Sequence, residues 1–512
     1  MFNILKTKDS FVIYFAAAVS ILLSTWIAYR EYVINPDAIC YLQSAAVLGA
    51  GGLRKAMNLC VQAQWPFYSV LIYFFSQLTQ LSLSVSAYAL DAVFTVITVS
   101  SFILLVRQLG GNRRVLWLAA IVILLAHEFN SIRQYIIRDH GFLAFYLLSL
   151  LFMLRYVSTL FWGHALAWSL SLLVATLFRI EGAVFLVILP WTIWFQFSFT
   201  LWQRIKGFLQ LNAIALSAGL AVFGWLIFHP EISLASLGRM QDLVFQLFHA
   251  VGMVWQRFQV SIDGFSQTVL AAESLGDASM VFILTLMMWY LLRVATNLSL
   301  LYTALLAYAL KCKSLPLTRP SKLVLMGYLA TNVLITSLFL AQHLFLSKRY
   351  LLALTLILML WVPFALDSLI TAWENRKVPA WFTPLVFLLI TVASVSGIID
   401  FGYSKAYMRR AGDWMAENIP LAANVYSNDY QVMYYSRHFG NDIFAKIKEY
   451  NDPNTIANDR WQDYDYVALR LSKKDLLEKT AVFQKSGLVP AQVFSNKRGD
   501  QVVIYKIVKE EL

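Results

Sequence analysis

Two acidic residues stand at the ends of long apolar stretches, where charge is costly to hold in place and is often functional. Asp37 follows the first such stretch in Asn35-Pro36-Asp37-Ala38, and Asp139 precedes a later one in Arg138-Asp139-His140. A carboxylate in such a place can take the proton of an attacking hydroxyl or amine. Asp37 is equally suited to cap a short amphipathic helix on which Tyr41 and Ser44 share its face. Both uses stay open from the sequence.

Cations occur at the same ends of the apolar stretches. Arg179 and Glu181 belong to Arg179-Ile180-Glu181-Gly182, and Lys348 and Arg349 open another stretch. Arg138 or Arg133 beside Asp139 is a further candidate, because arginine suits phosphate. The local alternatives are an Arg138–Asp139 pair, an Arg179–Glu181 pair within a turn, and contacts of Lys348 and Arg349 with lipid head groups. Together these charges indicate a site for an anionic substrate carried on a lipid.

The composition places these residues in a membrane protein. The chain has 512 residues, 59% of them hydrophobic and 14% charged, with a mean hydropathy of +0.62. A soluble chain carries about 25% charged residues. The net charge of +12 fits cytoplasmic loops that collect Lys and Arg. We therefore expect contacts with membrane lipids and no binding of nucleic acid.

Eleven apolar stretches are long enough to predict membrane spans. They lie near 11–30, 84–106, 115–130, 141–157, 160–178, 182–201, 207–228, 279–310, 323–342, 350–371 and 379–399. The segment 66–81 is short and interrupted by polar residues, and counting it as a span would put Arg107, Arg113 and Arg114 outside. We interpret it as re-entrant or interfacial, which predicts a cytoplasmic N-terminus and an external C-terminus. The run 279–310 is long for one helix.

The predicted fold is a polytopic α-helical membrane protein with a small C-terminal α/β domain. Residues 1–400 would form the membrane domain, with external loops 31–83 and 229–278, and an amphipathic stretch near 240–260 would lie on the membrane. Residues 401–512 would form the external domain. Its predicted helices are 406–418 and 473–486, and its predicted strands are 424–428, 464–471 and 501–508.

The three cysteines show no spacing of metal ligands. Cys40 and Cys60 fall in the same predicted external loop, whereas Cys312 does not. A disulfide between Cys40 and Cys60 in an oxidising compartment and two buried thiols are both compatible with the sequence.

Five short motifs, in their order along the chain, resemble the GT-C membrane glycosyltransferases, especially the branch of protein mannosyltransferases and lipid A aminoarabinose transferases. They are Pro36-Asp37-Ala38, Trp65-Pro66-Phe67-Tyr68, Asp139, Arg179-Ile180-Glu181-Gly182 and Arg349-Tyr350-Leu351-Leu352. The tail segments Asp413-Trp414, Val425-Tyr426-Ser427-Asn428 and Asp465-Tyr466-Val467 are also similar to the soluble end of bacterial members.

The resemblance implies an enzyme of the bacterial inner membrane. Its donor would be a sugar on polyprenyl phosphate, such as undecaprenyl phosphate, and transfer on the outer face would invert the anomeric centre. Asp37 would be the general base, and Asp139 would orient the acceptor or support the base. The donor phosphate would be held by Arg138, Arg349, Lys348 and Arg179. The pocket for sugar and acceptor would include Tyr41, Trp65, Tyr68, His140 and Glu181.

Two departures from the family leave questions open. Many members have a second acid after the first helix, where this chain has Ala38, so the sequence indicates no metal pair and a divalent cation is an open alternative. The family's His-Pro-Pro or Lys-Pro-Pro is replaced by Gln64-Trp65-Pro66, and the acceptor is therefore a lipid, a glycan or a protein. The alternative functions are a polysaccharide polymerase or ligase, a transporter of lipid or oligosaccharide, and a membrane scaffold.

Overall fold

The computed structural model describes residues 9–30, 33–228, 239–399, 401–440, 443–444, 464–476 and 489–507. Its helices are α1 (Ser10–Arg30), α2 (Pro36–Met57), α3 (Phe67–Thr79), α4 (Leu83–Gln108), α5 (Arg113–Leu124), α6 (His127–Ser131), α7 (Asp139–Thr159), α8 (Trp162–Phe178), α9 (Gly182–Ile188), α10 (Leu201–Phe228), α11 (Arg239–Val269), α12 (Ala278–Leu298), α13 (Leu300–Cys312), α14 (Arg319–His343), α15 (Leu352–Leu358), α16 (Val362–Glu374), α17 (Phe382–Ile398), α18 (Ala406–Asn418) and α19 (Tyr430–Ser436). Short 3₁₀ helices cover Val61–Gln64, Ile132–Gln134, Leu189–Phe195, Ala272–Asp277, Lys348–Leu351 and Met359–Trp361.

The protein is a multi-pass membrane protein. Among the described residues, 7 helical segments are long and apolar enough to cross a bilayer. They are Ser10–Arg30, Leu83–Gln108, Asp139–Thr159, Leu201–Trp225, Ala272–Leu298, Arg319–His343 and Lys348–Glu374. The pair Arg113–Leu124 and His127–Gln134, bent by 49°, makes up to 8 if it is one span.

The predicted count of eleven spans is not confirmed. Three predicted spans, 160–178, 182–201 and 379–399, correspond to apolar segments of 10–17 residues, which is less than the roughly 20 residues that a span needs. The run 279–310 is broken at Ser299, which has a φ of 73° and separates α12 from α13. Hydropathy measures apolar composition over a window and does not show where the backbone leaves the helix.

Two predicted interfacial segments are helical. The segment 66–81 contains α3, whose 13 residues extend about 20 Å and are too short for the roughly 30 Å apolar layer. This length agrees with the interpretation that the segment does not span. The amphipathic stretch near 240–260 lies within α11, a helix of 31 residues. Residues 229–238 of the same predicted loop lie outside the described residues.

The chain divides into two compact units. The first unit comprises Met1–Thr25, Ala89–Gln134 and Arg138–Ile399, and the second comprises Trp26–Tyr88, Tyr135–Ile137 and Asp400–Leu512. The second unit therefore contains the predicted first loop as well as the predicted C-terminal domain. The functional boundary near residue 400 stays a prediction.

Buried polar bonds join three helices in the first unit. Tyr328 of α14 is fully buried, and its hydroxyl lies 2.8 Å from the Ser149 hydroxyl on α7. Trp168 of α8 donates its indole N–H to the Tyr328 hydroxyl oxygen at 3.0 Å. These bonds satisfy polar groups that would be costly to bury alone. They hold together the helices whose ends carry the charged residues described below.

The second unit contains a mixed four-stranded sheet. Its strands are β1 (Val425–Ser427), β2 (Tyr466–Leu471), β3 (Val489–Ser495) and β4 (Gln501–Lys506), in the order β1-β2-β4-β3. The pair β1–β2 is parallel, and the other two pairs are antiparallel. Val467, Leu469 and Leu471 alternate along β2 and join one buried apolar cluster, as the two-residue period of a strand requires.

Most predicted elements of this domain are confirmed. The helix 406–418 and the strands β1, β2 and β4 lie at or within their predicted bounds. Two elements, α19 and β3, were not predicted from the sequence. The predicted helix 473–486 is described only over its first residues, because 477–488 lie outside the described part.

A disulfide closes the segment that follows α1. Cys40 on α2 is bonded to Cys60, with the two Cα atoms 6.1 Å apart, while Cys312 is exposed and carries a free thiol. α2 is also longer than predicted, reaching Met57 with a break at Gly52, where φ is 77°. Glycine suits this left-handed conformation because it has no Cβ.

Candidate functional site

A pocket in the first unit brings together four of the predicted site residues. Asp139 begins α7, Arg179 and Glu181 lie between α8 and α9, and Arg349 lies in the 3₁₀ helix Lys348–Leu351. All four line a pocket with about 470 Å³ of empty space, part of it open to the outside. Residues far apart in sequence thus form one charged wall.

Arg179 is the centre of the charge network. It forms an ion pair with Asp139, and its Nη2 donates to Glu181 Oε1 at 2.6 Å. Its guanidinium also stacks over the rings of Phe142 and Tyr350, 5.4 Å and 4.7 Å from their centroids. The Arg179 and Asp139 side chains are only 9% and 7% exposed. Two carboxylates and two rings therefore determine the orientation of this cation.

Two glycines permit the close packing around Arg179. A Cβ on Gly182 would lie 2.7 Å from the backbone nitrogen of Thr176, and a Cβ on Gly141 would overlap the ring of Phe178. Phe178 is the last residue of α8, after which Arg179 is extended, with φ −142° and ψ 128°. The glycine of the Arg-x-Glu-Gly motif thus has a steric role, because it lets the turn fold against α8.

Glu181 is held in its charged form. Burial by itself raises the pKa of this carboxyl group, but the guanidinium of Arg179 and, less strongly, Arg138 outweigh burial and lower its pKa to about 2. Arg138 lies immediately before α7, at its N-cap position. Arg138 therefore acts on the same charge network without being one of its ion-pair partners in the described bonds.

Lys348, the neighbour of Arg349, is bound to an acid that sequence reasoning did not select. Its ammonium forms an ion pair with Glu128, whose Oε1 is also 3.2 Å from Nδ1 of His127. Glu128 is 7% exposed. The available signal was an acidic residue at the end of an apolar stretch, because charge in such a place needs a partner.

Arg133, the alternative phosphate partner, points into the protein. It is 3% exposed, and its Nη1 donates to the carbonyl of Ser20 at 3.0 Å and to the hydroxyl of Ser24 at 2.6 Å. Asn130 accepts from its Nε at 3.0 Å. These bonds attach α1 to the segment 130–133, which is a structural use of this arginine.

A polar wall of the pocket was also missed. Asn332 and Thr336, one turn apart on α14, line the pocket. The Asn332 amide donates to the Tyr146 hydroxyl at 2.5 Å and to the Tyr328 carbonyl at 2.7 Å. The Thr336 hydroxyl lies 2.7 Å from that of Tyr290. The signal was the i, i+4 spacing of two polar residues inside an apolar span.

Comparison with known proteins decides the fold. No family model and no curated protein sequence matches the chain. Its structure is similar to the archaeal oligosaccharyltransferase AglB from Archaeoglobus fulgidus in complex with an inhibitory peptide and a dolichol-phosphate. The TM-score is 0.54 at 13% identity, covering 91% of this chain and 69% of AglB. It is also similar to ArnT from Cupriavidus metallidurans bound to undecaprenyl phosphate, with a TM-score of 0.51 at 14% identity, covering 97% and 98%.

The chain has the GT-C fold. The resemblance seen in the short motifs is thus confirmed across most of the chain, at the level of structure. Because the identities are low, the structural similarity establishes the fold alone. The roles of individual residues stay predictions.

The other predicted site residues belong mainly to the second unit. Asp37 lies in the first turn of α2 and is partly buried, and its Oδ1 accepts a hydrogen bond from Gln62 Nε2 at 3.1 Å. Tyr41 and Tyr68 are buried and pack edge to face, with centroids 5.1 Å apart. Trp65 ends the 3₁₀ helix Val61–Gln64. Asn35, not Asp37, occupies the N-cap position of α2.

His140 is a buried residue of the first unit, and the described acidic residues form no metal-binding cluster. His140, in the first unit, is 1% exposed, and its Nε2 lies 3.1 Å from the carbonyl of Ile132. Within the described ranges, no group of three or more His, Cys, Asp and Glu is arranged to hold a metal ion. At the acidic wall of the pocket, the guanidinium of Arg179 already balances Asp139 and Glu181.

Proposed function

We propose that this protein is an integral-membrane glycosyltransferase that uses a polyprenyl-phosphate sugar as its donor. The observation that carries the proposal is the pocket lined by Arg179, Arg349, Asp139 and Glu181 inside a unit of apolar helices. Such a pocket suits a ligand with an anionic head and an apolar tail. The GT-C fold supports it, since the two similar structures contain dolichol-phosphate and undecaprenyl phosphate. Transfer would take place on the outer face of the bacterial inner membrane.

In this proposal, Arg349 is a ligand of the donor phosphate because it lines the pocket. Arg179 is already hydrogen-bonded to Asp139 and Glu181, so it contributes to the field and shape of the pocket more than to a direct bond. Arg138 and Lys348 would add positive charge nearby. Asn332 and Thr336 would complete the polar wall of the pocket beside the sugar. Tyr41, Trp65, Tyr68, His140 and Glu181 stay predicted contributors to the sugar and acceptor pocket.

The proposed reaction is a single displacement with inversion. An acceptor oxygen or nitrogen bonds to the anomeric carbon as the bond from that carbon to the phosphate oxygen breaks. The acceptor's proton passes to the Asp37 carboxylate, and polyprenyl phosphate leaves with the bonding electrons. Arginines near the phosphate stabilise the charge that develops on it. Asp139 would orient the acceptor or support the base.

The test is Asp37→Asn in the full chain, purified in detergent. The substrates are undecaprenyl phosphates carrying labelled pentoses or hexoses, supplied with lipid, glycan and peptide acceptors, and the readout is released undecaprenyl phosphate. We expect turnover to fall by roughly 10²- to 10⁴-fold, the usual contribution of a general base, with unchanged binding of undecaprenyl phosphate. Asp263→Asn, an exposed acid on α11, is the matched control.

Two outcomes would contradict the proposal. Undiminished transfer by well-expressed Asp37→Asn would remove Asp37 as the base. A wild-type protein that moves the labelled lipids across vesicles without cleaving them would favour the transporter alternative.

A further inference from the structure

Asn35 occupies a helix-capping position but does not cap the helix. Asparagine at an N-cap usually accepts a hydrogen bond from the first turn, yet here the side chain makes no such bond. Instead, Asn35 Oδ1 accepts from the backbone N–H of Ile136 at 3.0 Å, and Asn35 Nδ2 donates to the carbonyl of Ile136 at 3.3 Å. The side-chain amide thus pairs with both backbone groups of one residue in another segment.

The preceding residue, Ile34, is bound in the same two-point way by the C-terminal domain. Its backbone N–H donates to the Tyr435 hydroxyl at 3.1 Å, and its carbonyl accepts from Gln431 Nε2 at 2.9 Å. Both side chains come from α19, and Ile34 and Gln431 are only 8% and 6% exposed. Together, the side chains of Asn35, Gln431 and Tyr435 form what we call the 34–35 clamp.

The clamp fixes a stretch of chain that lies just before α2 and outside the regular helix. Residues 33–35 precede α2, and a buried backbone group without a partner costs roughly 1–3 kcal/mol. Two hydrogen bonds from α19 satisfy the backbone N–H and carbonyl of Ile34. Two more join the side chain of Asn35 to the backbone of Ile136. All the groups involved belong to the second unit.

Asp37 is held from its other side as well. Gln62, which donates to Asp37 Oδ1 at 3.1 Å, follows Cys60, and Cys60 is bonded to Cys40 on α2. The clamp lies two residues before Asp37 and the disulfide lies three residues after it. A reacting group must be placed to within about 0.5 Å to be effective. The clamp and the disulfide therefore both bear on how precisely Asp37 is placed.

We propose that the C-terminal domain positions Asp37 for catalysis through Gln431 and Tyr435. This inference rests on the proposed function, in which Asp37 is the general base. Gln431 and Tyr435 are positioning residues that act through the backbone of Ile34, and the domain is then part of the catalytic apparatus. Their loss should lower turnover at saturating donor while leaving the affinity for undecaprenyl phosphate intact.

The experiment uses the full chain in detergent with Tyr435→Phe, Gln431→Leu and the double variant. Tyr434→Phe, which removes the neighbouring hydroxyl of α19, is the matched control. Hydrogen–deuterium exchange of peptides covering residues 33–42 should quicken by roughly 10-fold or more in the double variant, because exchange reports local opening. Turnover at saturating donor should fall by roughly 10-fold, with binding of undecaprenyl phosphate within about twofold of wild type, the split expected of a transition-state effect.

The outcomes separate this inference from the proposed function. Unchanged exchange in the double variant, or faster exchange with unchanged turnover, overturns the positioning role. If Asp37→Asn abolishes turnover and the double variant turns over at the wild-type rate, the proposed function stands and the positioning role falls. If Asp37→Asn retains full turnover, the proposed function fails, and the exchange data still decide whether the clamp holds residues 33–42. Should the double variant misfold, Tyr435→Phe keeps the ring and removes only the hydroxyl. Its exchange over residues 33–42 and its turnover then test the positioning role.

Discussion

Asp139 and Arg179 form a buried ion pair although 40 residues separate them. From the sequence, Arg138 was a possible partner of Asp139, and Glu181 a possible partner of Arg179. The structure confirms the second pairing and adds Asp139 to it, so that one arginine balances two acids. This pair joins the start of α7 to the turn after α8 and shapes the pocket proposed for the donor.

Removing either partner of this pair should destabilise the protein strongly. Arg179→Gln leaves two carboxylates without their cation, and Asp139→Asn leaves the cation with Glu181 alone. Breaking a buried pair costs about 3–5 kcal/mol, so we expect large losses in the free energy of unfolding, measured with SDS in mixed micelles. The double variant should lose less than the sum. Arg409→Gln, at an exposed i, i+4 pair with Asp413, should change little, and additive losses would contradict the coupling.

Arg349 and Lys348 should differ in their effect on donor binding. Arg349→Gln removes a charged donor from the pocket wall, and a hydrogen bond to a charged group is worth about 1.5–3 kcal/mol, so affinity for undecaprenyl phosphate should fall by roughly 10- to 100-fold. Lys348→Gln should have a smaller effect because its ammonium is bound to Glu128. Tryptophan fluorescence titrations can measure both, with neutral undecaprenol as the control ligand. A larger effect of Lys348→Gln would reverse the assignment.

The contribution of Glu181 to stability should not vary with pH near neutrality. Its pKa is lowered from 4.5 to about 2 in the folded protein. A depressed pKa means that the stabilisation is fully present above the unfolded pKa and is lost as the pH falls through 4.5 toward 2. The difference in thermal midpoint between wild type and Glu181→Gln should thus be constant from about pH 5 to 8 and shrink below about pH 4. A difference that changes between about pH 6 and 8 would contradict the ionised assignment.

The cysteines should show two classes of reactivity. Alkylation of the native protein should label Cys312 alone, and all 3 cysteines should react after reduction and unfolding. Intact-mass spectrometry measures the number of labels. Replacing Cys40 and Cys60 by serine should lower the free energy of unfolding by about 3 kcal/mol, because the disulfide no longer constrains the unfolded chain. Turnover should fall as well, because Gln62, which binds Asp37, follows Cys60. Labelling of Cys40 or Cys60 without reductant would contradict this bond.

The C-terminal domain shows which secondary-structure elements local sequence patterns can predict. The strands β1, β2 and β4 were predicted because alternating apolar residues and turn signals are local properties. β3 was missed: Val489–Ser495 contains a proline and exposed residues, and its pairing with β4 is what makes it a strand. α19 has only 7 residues, and its role is seen only in its bonds to Ile34.

Local composition was sufficient to establish that this chain is a multi-pass membrane protein with a small mixed α/β domain, because hydropathy and periodicity act over one element at a time. It also selected Asp139, Arg179, Glu181 and Arg349. It did not reveal that these four line one pocket, that Lys348 pairs with Glu128 across 220 residues, or that Gln431 and Tyr435 hold Ile34. Such contacts depend on how distant helices pack, and buried charges and backbone groups take whichever partners that packing brings within reach.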